Sequence, residues 1–463
     1  MFTRTPARFA IVILLLAALA CNLPFDFEGD DSDWSEPESE SSETESDYSS
    51  SDYDDTDDDD DGPPPSVDAG SFQRDFTFDL PLFSPDSAWN QRADEAAALP
   101  ESDAQILSFY RIMLGDTSSL EGLDGAATDW PYMSINLYEF TIPIFRAGDE
   151  MQDVWICQEE GMVGWAHPKF GIETEGGPVT VPAPAGIVRP AGPEVGYSDG
   201  HLVLYQPDTF IAYDYWQATP YYDEACYGFE GGLVGERIQQ AGEVDFFDVR
   251  GPGANPDGIS SARAVGPPLL AGLILPEDIE SGAIAHALAF ANPGPRNTSF
   301  NPENPNESDY FYPASTVETD HYSTDSDALA SGQRLRLKGT IVDEDGQIID
   351  ESQLALITRM YLTALREYGA YLVDASGGFS FYVEDVHTAV LHLSDDEINA
   401  LIGEPAGTPL PEDMTKWQIV IEKLGNELEL IPIAVSPGDD EPRPRSAEIE
   451  IANFEVVEPA YIP

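Results

Sequence analysis

Short stretches with alternating apolar and polar residues dominate the chain after about residue 130. Two examples are "YMSINLYEFTIPIF" and "GQRLRLKGTIV", and Gly, Pro, Asn or Asp residues bound most such stretches. A period of two, interrupted by turn residues, predicts short β-strands. The Pro-rich stretch "GPVTVPAPAGIV" suits an edge strand, because proline cannot donate a hydrogen bond to a neighbouring strand. Closing strands are predicted over "WQIVIEK" and "AEIEIANFEVV".

Only a few segments carry the helical period. Residues 102–116 place apolar residues on one face, and a longer amphipathic segment follows Asp350, which forms a predicted capping box with Gln353. A small capped helix is predicted over "SDDEINALIG", and a single helical turn over residues 276–281. Many short strands with few helices predict a mainly β domain, a β-sandwich or jelly-roll-like fold with a few appended helices.

The N-terminus has the pattern of an export signal. Two arginines precede an apolar run over residues 9–16, which is too short for a stable transmembrane helix. The signal ends in Ala-Leu-Ala-Cys21, which resembles the lipobox of bacterial lipoproteins, although Ala18 replaces the usual Leu. The resemblance implies removal of residues 1–20 and lipidation of Cys21, and two or more acyl chains anchor a protein stably. The alternative is an ordinary cleaved signal peptide.

Two cysteines, Cys157 and Cys226, remain once Cys21 is assigned to the lipid. In an exported protein this predicts one disulfide, with two buried free thiols as the alternative. The predicted location is the bacterial cell envelope, with the lipid-anchored chain facing the exterior.

Residues 21–71 predict an acidic, disordered tether. From Asp26 to Asp61 there are 19 Asp or Glu residues and no Lys or Arg. Such a segment cannot bury enough apolar surface to fold, and its like charges extend it. It lacks the spacing of an EF-hand loop, which disfavours a calcium site in the tether. Residues 72–463 are then a single β-rich extracytoplasmic domain.

The charge of the remaining chain excludes one class of partner. Outside residues 26–61, 67 acidic residues face 19 basic ones once Arg4 and Arg8 are set aside, a net charge of −48. A nucleic-acid partner is disfavoured, because phosphate binding needs a basic surface. A cation, a basic partner and a salty habitat are compatible with this charge. The cofactor is unknown, and a divalent cation is possible.

No motif in the chain names a reaction. The sequence has no HExxH, CxxC, Gly-rich phosphate loop or GxSxG. The chain therefore lacks the motifs by which metalloproteases, nucleotide enzymes and α/β-hydrolases are usually recognised. Function has to be argued from clusters of polar and aromatic residues.

The stretch "SDGHLVLYQPDTFIAYDYWQA", residues 198–218, predicts a β-hairpin that carries such a cluster. With a two-residue turn at Pro207-Asp208, His201 pairs with Asp214, and Asp199 pairs with Trp216 on the same face. The carboxylate of Asp214 would then raise the pKa of His201 and fix its tautomer. A three-residue loop breaks this pair, and the pair is equally compatible with a cross-strand ion pair without function.

Other candidate groups follow along the chain. His286 lies in "AIAHALAF" and is either a core histidine or part of a cleft, and Asp320-His321 lies in a polar loop. Tyr213, Trp216 and neighbouring tyrosines offer aromatic faces on which sugar rings stack, although aromatics also serve as ordinary core. The predicted catalytic residues are His201, Asp214, Asp199 and His286, and the predicted substrate-binding residues are Trp216, Tyr213, Asp320 and His321. A metal at these residues is neither indicated nor excluded.

The order of several segments resembles an uncharacterised group of secreted bacterial β-rich proteins. The matching segments run from about residue 181 to residue 385 and include the hairpin, "PPLLAGLILPEDIESGAIAHALAF", "GQRLRL" and "ALREYGAYLVDASG". The resemblance implies a shared exported β-rich domain and supplies no catalytic mechanism.

These observations together predict a surface-anchored lipoprotein that binds or degrades extracellular polysaccharide. If it is an enzyme, lyase or glycoside hydrolase chemistry fits, with His201 as base or acid and with Asp199 plus Asp214 or Asp320 as a carboxylate pair. The alternative is a non-catalytic adhesin or envelope-scaffold protein, in which the polar residues only satisfy the fold.

Overall fold

The computed structural model describes the chain from Phe72 onwards, with gaps. The described residues are 72–121, 131–137, 140–156, 168–171, 178–191, 199–220, 235–298, 309–319, 321–434 and 453–458. All of them belong to one compact unit, Ser66–Pro463. The signal, the tether, the three cysteines and Asp320 lie outside these residues, so lipidation and the disulfide stay predictions. No helix in the described part has the length and apolarity to cross a membrane.

The described residues are mainly β, as the alternating pattern predicted. In chain order the strands are β1 (Leu120–Glu121), β2 (Met133–Ile135), β3 (Ile144–Ile156), β4 (Val179–Pro184), β5 (Leu202–Gln206), β6 (Ile211–Trp216), β7 (Gln240–Ala241), β8 (Glu243–Asp248), β9 (Leu288–Asn292), β10 (Tyr322–Ser323), β11 (Arg334–Leu337), β12 (Ala370–Ala375), β13 (Phe379–Phe381) and β14 (Phe454–Val457).

Two mixed sheets contain most of these strands. The first sheet has the order β14-β11-β12-β9-β13-β2, and the second has the order β4-β3-β5-β6-β8. The long strand β3 curls, since it pairs with β5 near its start, with β4 further along and with β7 at its end. The Pro-rich β4 lies at the edge of the second sheet, as proline requires.

Five α-helices lie in the described residues: α1 (Ser102–Met113), α2 (Pro276–Ser281), α3 (Leu356–Glu367), α4 (Asp395–Ile402) and α5 (Lys416–Leu428). Helix α4 is capped as predicted: Ser394 forms a capping box with Glu397, and the helix ends at Gly403, which adopts the left-handed conformation. The predicted capping box at Asp350 is different, because Asp350 caps a separate 3-10 turn, Glu351–Gln353, and α3 begins later.

Two predicted strands were wrong. "WQIVIEK" belongs to helix α5, which begins after the capping residue Thr415. The apolar stretch "GPPLLAGLIL", whose unbroken run of apolar residues also predicts a strand, forms turns that precede α2, apart from an isolated bridge at Ile274. The second stretch is completely buried, and the first is buried at Trp417 and at residues 419–421. A short apolar run without clear periodicity does not distinguish a strand from another buried segment.

Buried apolar residues form three clusters that pack the sheets and helices together. The first cluster joins the helices to one face of the first sheet through residues such as Phe290, Phe381 and Trp417. The second contains side chains from the opposite face, including Ala289 and Tyr382, together with residues of β5 and β6 such as Val203, Tyr205 and Ala212. The third cluster covers the other face of β5 and β6. The alanines of β9 therefore allow this face to pack closely against β5 and β6.

Candidate functional site

The β5–β6 hairpin has a longer loop than predicted. Its connection is residues 207–210, and Val203 pairs with Asp214 instead of the predicted His201. The register is thus shifted by two residues along the strand. Because side chains alternate with a period of two, this shift keeps the same residues on one face while changing every partner. The predicted face was correct, and the predicted pairing was wrong.

The shift separates His201 from Asp214. The carboxylate of Asp214 is fully buried and accepts the backbone N–H of Leu269 at 2.6 Å. Burial raises the pKa of Asp214 to about 7. Asp214 therefore holds the turn at Leu269 in place, and it neither bonds His201 nor contributes to the cavity described next. The predicted catalytic role of Asp214 loses its basis.

A cavity of about 630 Å³ lies where the two sheets meet. The end of β6 and the start of β8 form one wall, and the end of β12 in the first sheet forms another. Residues 258–264 and 316–319, with His321, close it from the loops. Its volume is in the range of small-molecule binding sites. The cavity brings together four of the predicted site residues: Asp199, His201, Trp216 and His321.

Asp374 lies at the end of β12 and faces this cavity. The pairing of β12 with β9 shifts between Leu372 and Asp374, an irregularity of the kind that redirects a side chain. Tyr382 donates its hydroxyl to Asp374 Oδ2 at 3.4 Å. Burial, and then the negative charges of Glu318 and Asp199, raise the pKa of Asp374 well above its usual range. Asp374 therefore tends to keep its proton beside two other carboxylates.

Glu243 supplies a fourth carboxylate on the opposite wall. It is the cross-strand neighbour of Trp216 and accepts a hydrogen bond from the Ser260 hydroxyl at 3.0 Å. Burial raises the pKa of Glu243 to about 7. Below it, the fully buried Asp245 pairs with Lys169 at 2.6 Å, so this lysine is already engaged by a carboxylate.

His201 is a neutral acceptor in this arrangement. Its ring is 1% exposed, and Nε2 lies 3.2 Å from the carbonyl oxygen of Ala262, which can only accept. Nε2 therefore carries the proton, and Nδ1 presents a lone pair that has no partner among the described residues. Burial lowers the pKa of His201, and the nearby charge of Asp199 only partly opposes it.

Trp216 forms an aromatic wall of the cavity, backed by a glycine. A methyl group at Gly242 would overlap the indole ring, so only glycine allows the ring to lie flat against β8 at this point. Gly242 also donates its backbone N–H to the Trp216 carbonyl at 2.8 Å. The neighbouring residues thus fix the position of the Trp216 ring, on which a flat apolar face of a ligand can stack.

Two predicted site residues lie elsewhere. Tyr213 points to the opposite face of the second sheet and packs against the third cluster, because it alternates with Asp214 and Trp216. His286 does not line the cavity, and its Nε2 lies 3.2 Å from Asp278 in helix α2. His286 therefore lies outside the cavity, and its side chain, which is 12% exposed, is paired with Asp278.

The His286–Asp278 pair makes folding stability depend on pH. Burial alone would lower the pKa of His286, but the charge of Asp278 and its hydrogen bond outweigh burial and raise it. The stabilisation is then fully present below the ordinary pKa of 6.5 and is lost as pH rises through the folded-state value. Urea unfolding of wild type and His286→Gln should give a larger stability difference at acidic than at alkaline pH. His392→Gln, at an exposed histidine, should give no such dependence, and a flat difference for His286→Gln would contradict the pairing.

Glu243, Glu318 and Asp374 line the cavity but were not among the site residues predicted from the sequence. Asp374 and Glu243 lie next to apolar strand segments, which marks strand ends but gives no distance between them. Arg263 was also missed: it is fully buried, and it donates to the carbonyl oxygen of Ala271 at 2.7 Å behind the cavity wall. Only the meeting of the two sheets brings these residues together.

The described residues contain no group of three or more His, Cys, Asp or Glu side chains arranged to hold a metal ion. Comparison with protein families, curated proteins and solved structures finds no match for this chain. The function therefore has to be inferred from the cavity itself.

Proposed function

We propose that the domain binds polysaccharide in this cavity and hydrolyses it there. The observation that carries this proposal is the position of Asp374 beside Glu318 and Asp199, in a cavity that also has the ring of Trp216 as a wall. Glycoside hydrolysis uses a carboxylic acid and a carboxylate with different proton affinities, together with an apolar surface for the sugar ring.

The residues have distinct proposed roles. Asp374, which keeps its proton, protonates the glycosidic oxygen as the bond to the anomeric carbon breaks. Glu318 or Asp199 either takes a proton from the attacking water or attacks the anomeric carbon itself. His201 Nδ1 accepts a hydrogen bond from a sugar hydroxyl, which orients the ring. This replaces the predicted His201–Asp214 dyad with a carboxylate pair.

Binding tests the role of the aromatic wall. Trp216→Ala should weaken oligosaccharide binding by about tenfold or more, since it removes the surface on which the ring stacks. Trp216→Phe should retain most of the affinity because it keeps an aromatic face. Isothermal titration calorimetry on a panel of oligosaccharides measures both, with the exposed Phe140→Ala as the matched control. Equal oligosaccharide affinities of wild type and Trp216→Ala would contradict the proposed binding site.

A non-catalytic adhesin or envelope-scaffold protein is the alternative. Oligosaccharide binding without turnover of any bound oligosaccharide would favour an adhesin. Absence of both would leave the scaffold interpretation.

We also propose a lipid-anchored location in the cell envelope, with residues 21–71 as the spacer. The basis is the Ala-Leu-Ala-Cys21 sequence and the acidic stretch that follows it. Wild-type protein should appear in the membrane fraction, and Cys21→Ala should be released from it. A Cys21→Ala variant that stays in the membrane fraction would contradict the anchor.

For the fold we propose the finer description of a β-sandwich with appended helices. Its support is the second apolar cluster, in which Ala289 and Tyr371 of the first sheet accompany Val203 and Ala212 of the second. A jelly-roll-like connection of the strands is the related alternative.

A further inference from the structure

The cavity is rich in hydrogen-bond acceptors. Asp199, Glu243, Glu318 and Asp374 all line it. The hydroxyls of the 260–261 loop are already used: Ser260 donates to Glu243, and Ser261 donates to the backbone carbonyl of Pro267 at 2.8 Å. A ligand that brings hydrogen-bond donors therefore complements these carboxylates.

Positive charge is scarce in the walls. Apart from His201 and His321, no described lining residue can carry a positive charge. Two bases lie behind the walls: Arg263 donates through Nη1 to backbone carbonyls, and Lys169 pairs with Asp245. They act on Asp374 and Glu243 only through their charge. The undescribed residues between 122 and 320 contain no Lys or Arg in the sequence. Among the described residues, no Lys or Arg therefore forms an ion pair with Asp199, Glu243 or Asp374.

His201 points independently to a donor ligand. It is 1% exposed and lines the same cavity, and its Nδ1 lone pair has no partner in the described part of the chain. Buried polar atoms are almost always hydrogen-bonded, so an acceptor of this kind at a cavity wall indicates a bound donor. This observation does not depend on the number of carboxylates.

Hydrolysis does not require the carboxylate of Glu243. Two carboxylates suffice for the reaction, and Asp374 with Glu318 or Asp199 supplies them. Glu243 lies instead on β8, directly across from Trp216. A substituent on a sugar ring stacked against Trp216 would meet this carboxylate.

We propose that the cavity takes an amino sugar whose amino group is unacetylated and protonated, with Glu243 pairing with the ammonium group beside Trp216. This inference rests on the proposed function, because it names the substrate class of the same site. A charge-assisted hydrogen bond is stronger than a neutral one, and a uronate would instead face four carboxylates. The uronate-directed lyase chemistry considered from the sequence is accordingly disfavoured.

Four probes of equal length test the inference on the full domain. They are β-1,4-linked oligomers of glucosamine, N-acetylglucosamine, glucose and a uronic acid, titrated calorimetrically at about pH 7.4. This pH lies above the pKa of Glu243, about 7, and below that of an amine which, like an α-amino group, has a pKa of roughly 7.7–8.0. The glucosamine oligomer should bind about tenfold tighter than its N-acetylated counterpart. Added salt should reduce this preference. Glu243→Gln should abolish it, whereas Glu404→Gln, the same change at an exposed residue outside the cavity, should leave it intact.

The outcomes separate this inference from the proposed function. Equal binding of the glucosamine and N-acetylglucosamine oligomers, or an unchanged preference in Glu243→Gln, overturns the amino-sugar inference. Trp216-dependent binding of the acetylated or glucose oligomer would still support the polysaccharide site. If no probe binds, the amino-sugar inference fails at once, and if the wider oligosaccharide panel also fails to bind, the proposed function falls with it.

Discussion

Asp374→Asn should lower the rate of polysaccharide hydrolysis by about 10²–10⁴-fold, the usual contribution of a general acid. The amide keeps the shape of the side chain but has no acidic proton for the leaving oxygen. Since burial and the charges of Glu318 and Asp199 already favour the protonated, uncharged form, the neutral Asn should not cost stability. Turnover is measured on an oligosaccharide that the wild-type protein cleaves.

The activity of the wild-type protein should also decrease as pH rises. Asp374 has to be protonated to act as the acid, so kcat/KM should fall as pH rises through its raised pKa. Asp345→Asn, the same change at an exposed turn residue, serves as the control and should be fully active. Full activity of Asp374→Asn would remove Asp374 from the reaction.

Trp417→Ala should destabilise the fold by about 3–5 kcal/mol, the usual cost of deleting a fully buried large aromatic side chain. The indole ring is completely buried in the first cluster, and its Nε1 donates to the carbonyl oxygen of Glu384 at 2.9 Å. Helix α5 is held against the first sheet in part by this side chain. The free energy of unfolding in urea measures the loss.

Two further variants separate packing from hydrogen bonding. Trp417→Phe keeps an aromatic ring in the cluster but removes the donor, so it should fall between wild type and Trp417→Ala. Asn426→Ala, on the exposed side of the same helix, should change stability little. A loss of less than about 1 kcal/mol for Trp417→Ala would mean that α5 is not packed as described.

Helix α5 also shows why part of the fold escaped prediction. "WQIVIEK" is short and rich in β-branched residues, which favours a strand on propensity alone. The buried residues extend beyond that stretch, to Leu424 and Leu428, and only the full length shows the helical spacing. Short, strongly capped helices such as α4 were predicted correctly because the capping residues lie within the pattern itself.

The hairpin shows the same limit for the candidate site. The period of two correctly placed His201, Asp214 and Trp216 on one face, since a shift by two residues does not change the face. It could not give the partner of His201, because the partner depends on the length of the loop after Gln206. A prediction that rests on one cross-strand pair therefore needs the loop, whereas a prediction of a face does not.

Asp374, Glu318 and Glu243 were beyond the reach of sequence reasoning for another reason. They come from β12, a loop and β8, which are far apart in the chain and belong to different sheets. Nothing local distinguishes them among the many acidic residues of this chain. The pKa values of Asp374 and Glu243 are raised only because burial and neighbouring carboxylates act on these two residues in the folded state.

The central claim is that the cavity between β6, β8 and β12 is a saccharide site. A crystal structure of the Asp374→Asn variant, soaked with the oligosaccharide that binds tightest, tests it most directly. We predict a sugar ring stacked on Trp216, with a hydroxyl within hydrogen-bond distance of His201 Nδ1. A sugar bound elsewhere on the surface, with the cavity empty at saturating concentration, would contradict the account.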